Sequence, residues 1–201
     1  MLRVGGPEAT ATRFFYAQAG ERPLIYAARS VEGETRLPLL GGALDVLIAA
    51  PGFAPRLLEA VAHDVEIELL PLPRVTVQIT EIDDLGPSAA ANSGRPAYQL
   101  IIVLEPEHCP WSELLPAHHR GVFRERLSHE LGMGSEESVT LHPRHEGPHR
   151  IRFHAQSYQQ FVMGGPPDLS ALPSGELAPL DVTVGGSPLG LTMDLSKASF
   201  E

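Results

Sequence analysis

The stretch DVEIELLPLPRVTVQI, residues 64–79, contains two segments of alternating polar and apolar residues on either side of Pro71 and Pro73. Alternation with a period of two puts the apolar side chains on one face, which is the pattern of a half-buried β-strand. The Pro-x-Pro element is stiff and its two prolines lack backbone donors, so it cannot continue a hydrogen-bonded ladder. The sequence therefore predicts two strands that belong to different domains, with the boundary at residue 73.

Strand-like segments recur along the whole chain. Before the boundary they cover residues 2–4, 12–17, 24–28, 34–39, 44–49 and 56–69, the last of them bent or broken. After the boundary they cover residues 75–81, 98–104, 138–142, 149–154, 181–184 and 189–195. Residues 113–126 fit a short helix, although 121–124 could equally be a strand. We therefore expect an all-β chain of two antiparallel β-sandwich domains, 1–73 and 74–201, the second a diverged sandwich with a short helix.

The composition agrees with many short strands joined by turns. Gly and Pro number 19 each in 201 residues, and both residues interrupt long helices. The formal net charge is −10 and Lys197 is the only lysine, which argues against nucleic-acid binding. Cys109 is the only cysteine, so an internal disulfide is excluded. We find no apolar run long enough for a membrane span and no signal-peptide pattern in the first residues.

Four segments of the first domain follow one another in an order that is typical of one family. ARSVEGETRL (28–37) and LLGGALDVLI (39–48) each place a Gly turn before a strand, AAPGFAP (49–55) has an apolar Pro-Gly corner, and VEIELLP (65–71) matches a closing strand. Each Gly or Pro stands where a turn must reverse a strand. Residues 1–73 thus resemble the carboxypeptidase regulatory-like domains, whose prealbumin-like, seven-stranded sandwich is shared with transthyretin-like and collagen-adhesin B-type domains.

The resemblance implies a role without catalysis. Domains of this family are typically accessory modules that act as spacers, stabilisers or binding surfaces, and they share no catalytic motif. We therefore expect a non-enzymatic accessory, structural or adhesion-type module of a larger or exported protein. Exposed sheet edges are the surfaces with which it would contact a protein partner. The resemblance favours the cell envelope or the exterior as its compartment, and no cofactor is predicted.

The sharpest sign of an enzyme is HELGM, residues 129–133. Zinc peptidases use His-Glu-x-x-His on a helix, where the two His bind one metal across a turn and the Glu activates water. Here Met133 takes the place of the second His, and a thioether is a poor zinc ligand. Gly132 also weakens a helix. We therefore interpret the stretch as a polar loop and expect no enzyme.

Histidines are concentrated in the second domain. The two strand segments on either side of HEGP, residues 145–148, are predicted to pair as a hairpin, which would bring His142, His145 and His149 together. Three imidazoles could hold zinc or nickel. A solvated hairpin is the competing interpretation, because neither the spacing nor a supporting carboxylate is diagnostic. A His-based metal site is therefore one alternative function.

Aromatic and amide side chains suggest another alternative. Trp111 and the loop YQQFVMGG, residues 158–165, mix aromatic rings with amides, as carbohydrate- and peptide-binding sites do. Packing in a core is the commoner fate of aromatic residues. If the chain is a carbohydrate- or peptide-binding domain, we expect Trp111, Tyr158, Gln160 and Phe161 to contact the ligand.

Overall fold

The computed structural model of the chain describes residues 2–5, 12–29, 34–38, 42–80, 98–131, 136–157, 174–194 and 199–200. Within these ranges the secondary structure is almost entirely β, with fifteen strands and two short helical segments. Most of the strand pairs are antiparallel. The prediction of an all-β chain built from antiparallel sheets is therefore confirmed.

The first seven strands form two sheets that face each other. They are β1 (Leu2–Gly5), β2 (Arg13–Gln18), β3 (Tyr26–Arg29), β4 (Glu34–Thr35), β5 (Leu44–Ala49), β6 (Arg56–Val61) and β7 (Val65–Glu68). One sheet has the order β4-β1-β7 and the other has the order β3-β2-β5-β6. Phe14, Val46 and Ile48 of the four-stranded sheet pack with Ile67 of the three-stranded sheet in one buried core. The first half of the chain is therefore a sandwich.

The remaining eight strands form a second sandwich. They are β8 (Val75–Thr80), β9 (Tyr98–Pro106), β10 (Glu125–Leu131), β11 (Glu136–Leu141), β12 (Gly147–Ser157), β13 (Ser174–Val184), β14 (Leu189–Asp194) and β15 (Ser199–Phe200). One sheet has the order β11-β8-β14 and the other has the order β10-β9-β12-β13-β15. Val77 and Ile79 of the three-stranded sheet pack against Leu100, Ile102 and Ile151 of the five-stranded sheet.

The two sandwiches have the same strand connectivity. When seven is added to each strand number of the first sandwich, both sheet orders of the second are reproduced, and β15 is one additional edge strand. The parallel pair recurs as well, as β1–β7 in the first sandwich and β8–β14 in the second. The chain is thus a tandem repeat of one seven-stranded topology, with Pro71 and Pro73 in the connection between the repeats.

Of the connections that the structure describes in both repeats, the one after the second strand differs most in length. Residues 19–25 join β2 to β3, whereas residues 107–124 join their counterparts β9 and β10. The longer connection, which we call the helical insert, contains α1 (Pro110–Glu113) and a 3-10 helix (Ala117–Phe123). A short helix in this part of the chain is therefore confirmed. No helix in the described part of the chain has the length and apolar character needed to cross a membrane.

The predicted strands agree with the structure better than the predicted pairing does. Segment 44–49 coincides with β5, and segment 56–69 is broken into β6 and β7. The hairpin predicted around residues 145–148 is wrong. The strand before that turn, β11, pairs with β8, whereas the strand after it, β12, pairs with β9 and β13 in the other sheet. Each of these strands points its apolar side chains at the core from a different layer, so the turn crosses between the sheets.

Candidate functional site

An apolar cluster joins the helical insert to the first sandwich. It lies on the outer face of the four-stranded sheet, opposite to the core of the sandwich. Phe15 and Leu47 project from this face and are 1% and 0% exposed, because Leu115, Val122 and Phe123 of the insert pack against them. Side chains from both sides of residue 73 therefore share one core, which we call the shared core.

The sequences of β5 and of the helical insert explain this packing. The strand β5 reads LDVLIA, and all six of its residues are buried. Such a nearly continuous apolar run is typical of strands covered on both faces, whereas a strand with one solvated face alternates. In the insert, Pro110 occupies the first turn of α1, where a missing N–H is tolerated, and Ser112 Oγ donates to the Cys109 carbonyl at 2.7 Å. Trp111 is partly buried against the shared core.

Backbone hydrogen bonds fix the linker between the sandwiches. The Leu72 N–H donates to the Gly52 carbonyl at 2.7 Å, and the Ala54 N–H donates to the Leu70 carbonyl at 2.9 Å. The linker is therefore paired with a corner of the first sandwich. Because paired backbone is much less free than an unpaired linker, we expect little bending at this point.

Two further backbone bonds cross from one sandwich to the other. The Gly52 N–H donates to the Pro143 carbonyl in the turn between β11 and β12 at 2.8 Å, and the Leu24 N–H donates to the Leu114 carbonyl of the insert at 2.8 Å. Gly52 has a φ of +76°, and a Cβ there would lie 3.4 Å from the His142 ring. A glycine is therefore favoured at this close approach.

A buried carboxylate on β5 connects the edge strand β6 of the same sheet to the turn that follows β2. Asp45 is 3% exposed, and its oxygens accept hydrogen bonds from Ala60 N–H at 2.8 Å, Gly20 N–H at 2.9 Å and the Arg22 guanidinium at 2.7 Å. Burial alone would raise the pKa of Asp45, but these bonds and the Arg22 charge hold it below its usual value. Ala60 has a φ of +52°, a strained conformation for alanine, and it lies where the register between β5 and β6 shifts, so Asp45 stabilises an unfavourable backbone conformation within β6. Asp45 is not among the predicted site residues, although an acid inside an apolar run signals a buried network.

Two histidines meet where the chain enters β12. The ring centroids of His145 and His149 are 6.1 Å apart. His149 is 1% exposed, its Nδ1 donates to the Gly147 carbonyl at 2.9 Å, and its Nε2 has no hydrogen-bond partner among the described residues. Burial lowers the pKa of both rings, and His149 and His108 lower that of His145 further, although Glu146 raises it. Both shifts therefore favour the neutral form of the rings.

The structure brings only part of the predicted metal set together. His145 and His149 are neighbours, whereas the His142 ring lies against Gly52 and the His142 N–H donates to a Glu125 carboxylate oxygen at 2.6 Å. In the ranges that the structure describes, no group of three or more His, Cys, Asp or Glu is arranged to hold a metal ion. The described geometry thus offers two imidazoles and no complete ligand set.

A polar cleft of about 490 Å³ lies between the helical insert and the end of β9. Its lining includes Glu105, His108, Arg120 and Arg124, and Arg124 forms an ion pair with Glu105. Cys109 also lines the cleft, and burial raises the pKa of its thiol. Because the thiolate and not the thiol is the nucleophile, Cys109 is not activated for catalysis.

The other predicted residues are dispersed or lie beyond the described ranges. Residues 129–131 of HELGM belong to β10, so the interpretation as a loop is wrong for these three residues, and residues 132 and 133 lie outside the described residues. A strand cannot place two side chains across a helical turn, as the zinc-peptidase motif requires. Tyr158, Gln160 and Phe161 fall outside the described residues, which leaves Trp111 alone in the predicted ligand-binding set.

Comparison with known proteins adds little to this geometry. No family model matches the chain, and no curated protein matches it. A streptococcal ancillary pilin aligns with 96% of this chain at 12% identity and a TM-score of 0.33, and the chain covers 60% of that pilin. A leucine-rich repeat protein from Bacteroides thetaiotaomicron aligns with 96% of this chain at 12% identity and a TM-score of 0.23, with 26% of that protein covered. A function must therefore be argued from the residues of this chain.

Proposed function

We propose that the chain is a non-catalytic structural or adhesion-type module in which two prealbumin-like sandwiches are held in one fixed arrangement. The shared core is the observation that carries this proposal. Domains that are joined by a flexible linker normally move relative to each other unless their interface is large and apolar. Here the helical insert of the second sandwich supplies Leu115, Val122 and Phe123 to cover the first.

The cost of separating the sandwiches supports a fixed arrangement. Leu115, Val122 and Phe123 are at most 5% exposed, and returning each such side chain to water costs about 1.5–3 kcal/mol. The opposing Phe15 and Leu47 would be exposed at the same time. The backbone bonds from Leu24 and Gly52 to the second sandwich would also be broken. A module of this kind keeps its two ends at a set distance and orientation, as a spacer or a stalk requires.

A distance measurement between the sandwiches tests the proposal. Spin labels are attached at Glu59→Cys in the first sandwich and at Thr183→Cys in the second, both exposed positions, in a Cys109→Ala background. We expect pulsed electron paramagnetic resonance to give one narrow distance distribution. A broad distribution in the otherwise unaltered chain would contradict a fixed arrangement and the structural role with it.

A pair of variants identifies the source of the rigidity. Leu115→Ala removes a side chain of the shared core, so we expect it to broaden the distance distribution. Ile101→Ala removes an apolar side chain from the outer face of the five-stranded sheet, where the insert does not pack, and it should leave the distribution unchanged. Equal broadening by both variants would show that general destabilisation, and not the shared core, controls the arrangement.

A further inference from the structure

In each sandwich the first and the last strand of the repeat are parallel neighbours. β1 and β7 are aligned over four residue pairs, from Leu2 opposite Val65 to Gly5 opposite Glu68. β8 and β14 are aligned over six pairs, from Val75 opposite Leu189 to Thr80 opposite Asp194. Both pairs lie in a three-stranded sheet whose central strand is the first strand of the repeat. The chain therefore enters each seven-stranded repeat through one strand of this pair and leaves it through the other, and in the second sandwich β15 follows and pairs with β13.

The parallel orientation decides how such a pair responds to a pull on the chain. In a parallel pair, the start of the first strand and the end of the last strand lie at opposite ends of the ladder. Tension then drives the strands past each other along their length and loads all of the ladder bonds together. In an antiparallel pair, the same two points would lie side by side, and the bonds would break one after another.

We infer that the chain is built to carry tension along its length, with β1–β7 and β8–β14 as the two shear-loaded strand pairs. The inference rests on the proposed structural role, because only a module under load needs this property. The partner would be a neighbouring segment or an attached surface that applies tension to the two ends of the chain.

The second pair is the stronger of the two. It has six aligned residue pairs against four, and its ladder is extended by the Leu189 N–H, which donates to the Arg74 carbonyl at 3.1 Å. Val77, Ile79 and Met193, on the two strands, are at most 3% exposed. Sliding these strands therefore breaks the ladder and disturbs the core at once. We expect the first sandwich to unfold before the second.

The linker between the two strand pairs is not free to extend under tension. The Leu72 N–H bond to Gly52 and the Ala54 N–H bond to Leu70 hold the linker against the first sandwich. The shared core joins the two sandwiches on another side. Tension applied at the ends therefore reaches both strand pairs without a prior extension of the chain between them.

Single-molecule force spectroscopy on the full chain tests this inference by comparing two directions of pull. In one experiment the handles are fused to the two ends of the chain. In the other they are attached at Glu146→Cys and Gly185→Cys, two exposed positions that flank the paired ends of β12 and β13. Both experiments use the Cys109→Ala background. Pulling at the second pair of sites peels an antiparallel ladder from one end.

We expect a higher rupture force when the ends are pulled than when β12 and β13 are peeled apart. The two sandwiches are distinguished by the length of chain that each releases, because residues 2–68 and 75–194 differ in number. Equal forces in the two directions, or a lower force at the ends, would overturn the inference. An early extension of the linker at low force would instead contradict the fixed arrangement, which separates a failure of the proposed function from a failure of the mechanical inference.

Proline variants in β14 test the ladder itself. The Leu189 N–H points to β8, so the Leu191 N–H points there too, whereas the Thr192 N–H points away. Leu191→Pro removes one ladder bond, and relative to Leu191→Ala it should raise the unfolding rate at a fixed force about fivefold, the usual effect of one backbone hydrogen bond. Thr192→Pro should leave the rate unchanged. An equal effect of the two proline variants would mean that the β8–β14 ladder does not resist the force.

Discussion

The outer faces of the two larger sheets differ, although the strands that build them are connected in the same way. In the first sandwich this face carries Phe15 and Leu47, and the helical insert covers both. In the second sandwich it carries Ile101 and Val103 beside Arg152, and a shallow cleft of about 330 Å³ remains open there. One topology therefore supports a buried face in one repeat and a solvated face in the other.

The strand sequences account for this difference. β5 reads LDVLIA and is buried throughout, whereas its counterpart β12 contains HRIRFH at residues 149–154. In β12, Ile151 and Phe153 point to the core, and Arg150 and Arg152 point outward. Long arginine stems shield apolar surface while their charged groups stay in water. An outer face with an apolar run therefore requires a cover, and the helical insert of the other repeat provides it.

The largest effect is expected from truncating a large apolar side chain on the covered outer face, and the matched control is a truncation on the open outer face. Phe15→Ala should lower the free energy of unfolding by about 3–5 kcal/mol, because it opens a cavity in the shared core. Ile101→Ala, on the open face, should cost less than about 1.5 kcal/mol. Urea unfolding followed by circular dichroism measures both values. Similar costs would show that the two faces are equally buried in solution.

A smaller effect is expected from neutralising a carboxylate in each sandwich. Asp45→Asn disturbs three hydrogen bonds to a buried group and should cost about 1–3 kcal/mol. Asp181→Asn breaks an exposed ion pair with Arg150 and should cost no more than about 1 kcal/mol. Urea unfolding of the two variants at neutral pH gives the comparison. If Asp181→Asn proves the costlier change, the Asp45 network does not stabilise the pairing of β5 with β6.

The two sandwiches should lose folding stability at different pH values. Burial lowers the pKa of His145 and His149 in the folded state, so the unfolded chain binds more protons once the pH falls below the ordinary His pKa of about 6.5. The stability of the second sandwich is therefore complete above that pH and declines below it. The pKa of Asp45 is also lowered, so its contribution in the first sandwich is lost only below the ordinary Asp pKa of about 3.9.

Hydrogen exchange at a series of pH values measures the two windows strand by strand. Because intrinsic amide exchange itself slows as the pH falls, protection factors are compared: we expect those of β12 to decrease at mildly acidic pH, while those of β5 are retained. His149→Leu should reduce this acid sensitivity, and a change at the exposed His63 should not. Equal acid sensitivity of His149→Leu and the unaltered chain would show that this buried ring does not cause the greater acid sensitivity of the second sandwich.

The smallest effect is expected from the charged residues of the open face. Arg150 forms exposed ion pairs with Glu107 and Asp181, and such pairs are worth about 0–1 kcal/mol. Arg150→Met keeps an apolar stem over the sheet and should change the free energy of unfolding by less than about 1 kcal/mol, with a smaller difference at high salt. Urea unfolding at two salt concentrations checks this value. A cost as large as that of Phe15→Ala would mean that the face is closed by charged contacts.

The strands were predictable from local pattern, because alternation and turn residues are local signals. The segment 44–49 and the broken segment 56–69 were obtained in this way. Strand pairing is harder to predict from sequence, because it depends on which of the two sheets each strand joins. The pairing of β11 and β12 across residues 145–148 was predicted wrongly for this reason. The equivalence of the strands in the two sandwiches could not be recognised from their spacing, because residues 81–97, 107–124 and 158–173 make three connections of the second sandwich longer than their counterparts.

The candidate site was less predictable than the fold. The proximity of His145 and His149 was obtained from their spacing around one turn, but the placement of His142 depends on a contact with Gly52 from the other sandwich. The shared core joins Phe15 to Phe123, and no local pattern connects residues so far apart in the chain. The only available signal was β5 itself, whose apolar run requires cover on both faces.

Native-state hydrogen exchange of the Phe15→Ala variant tests most directly whether the helical insert is part of the first sandwich's core. The insert contains hydrogen-bonded amides, such as those of Leu115 and His119, whose N–H groups donate to the Ser112 and Pro116 carbonyls. We predict that Phe15→Ala accelerates exchange at these amides together with those of β5. Acceleration confined to residues 12–68, with the insert unchanged, would contradict the shared core.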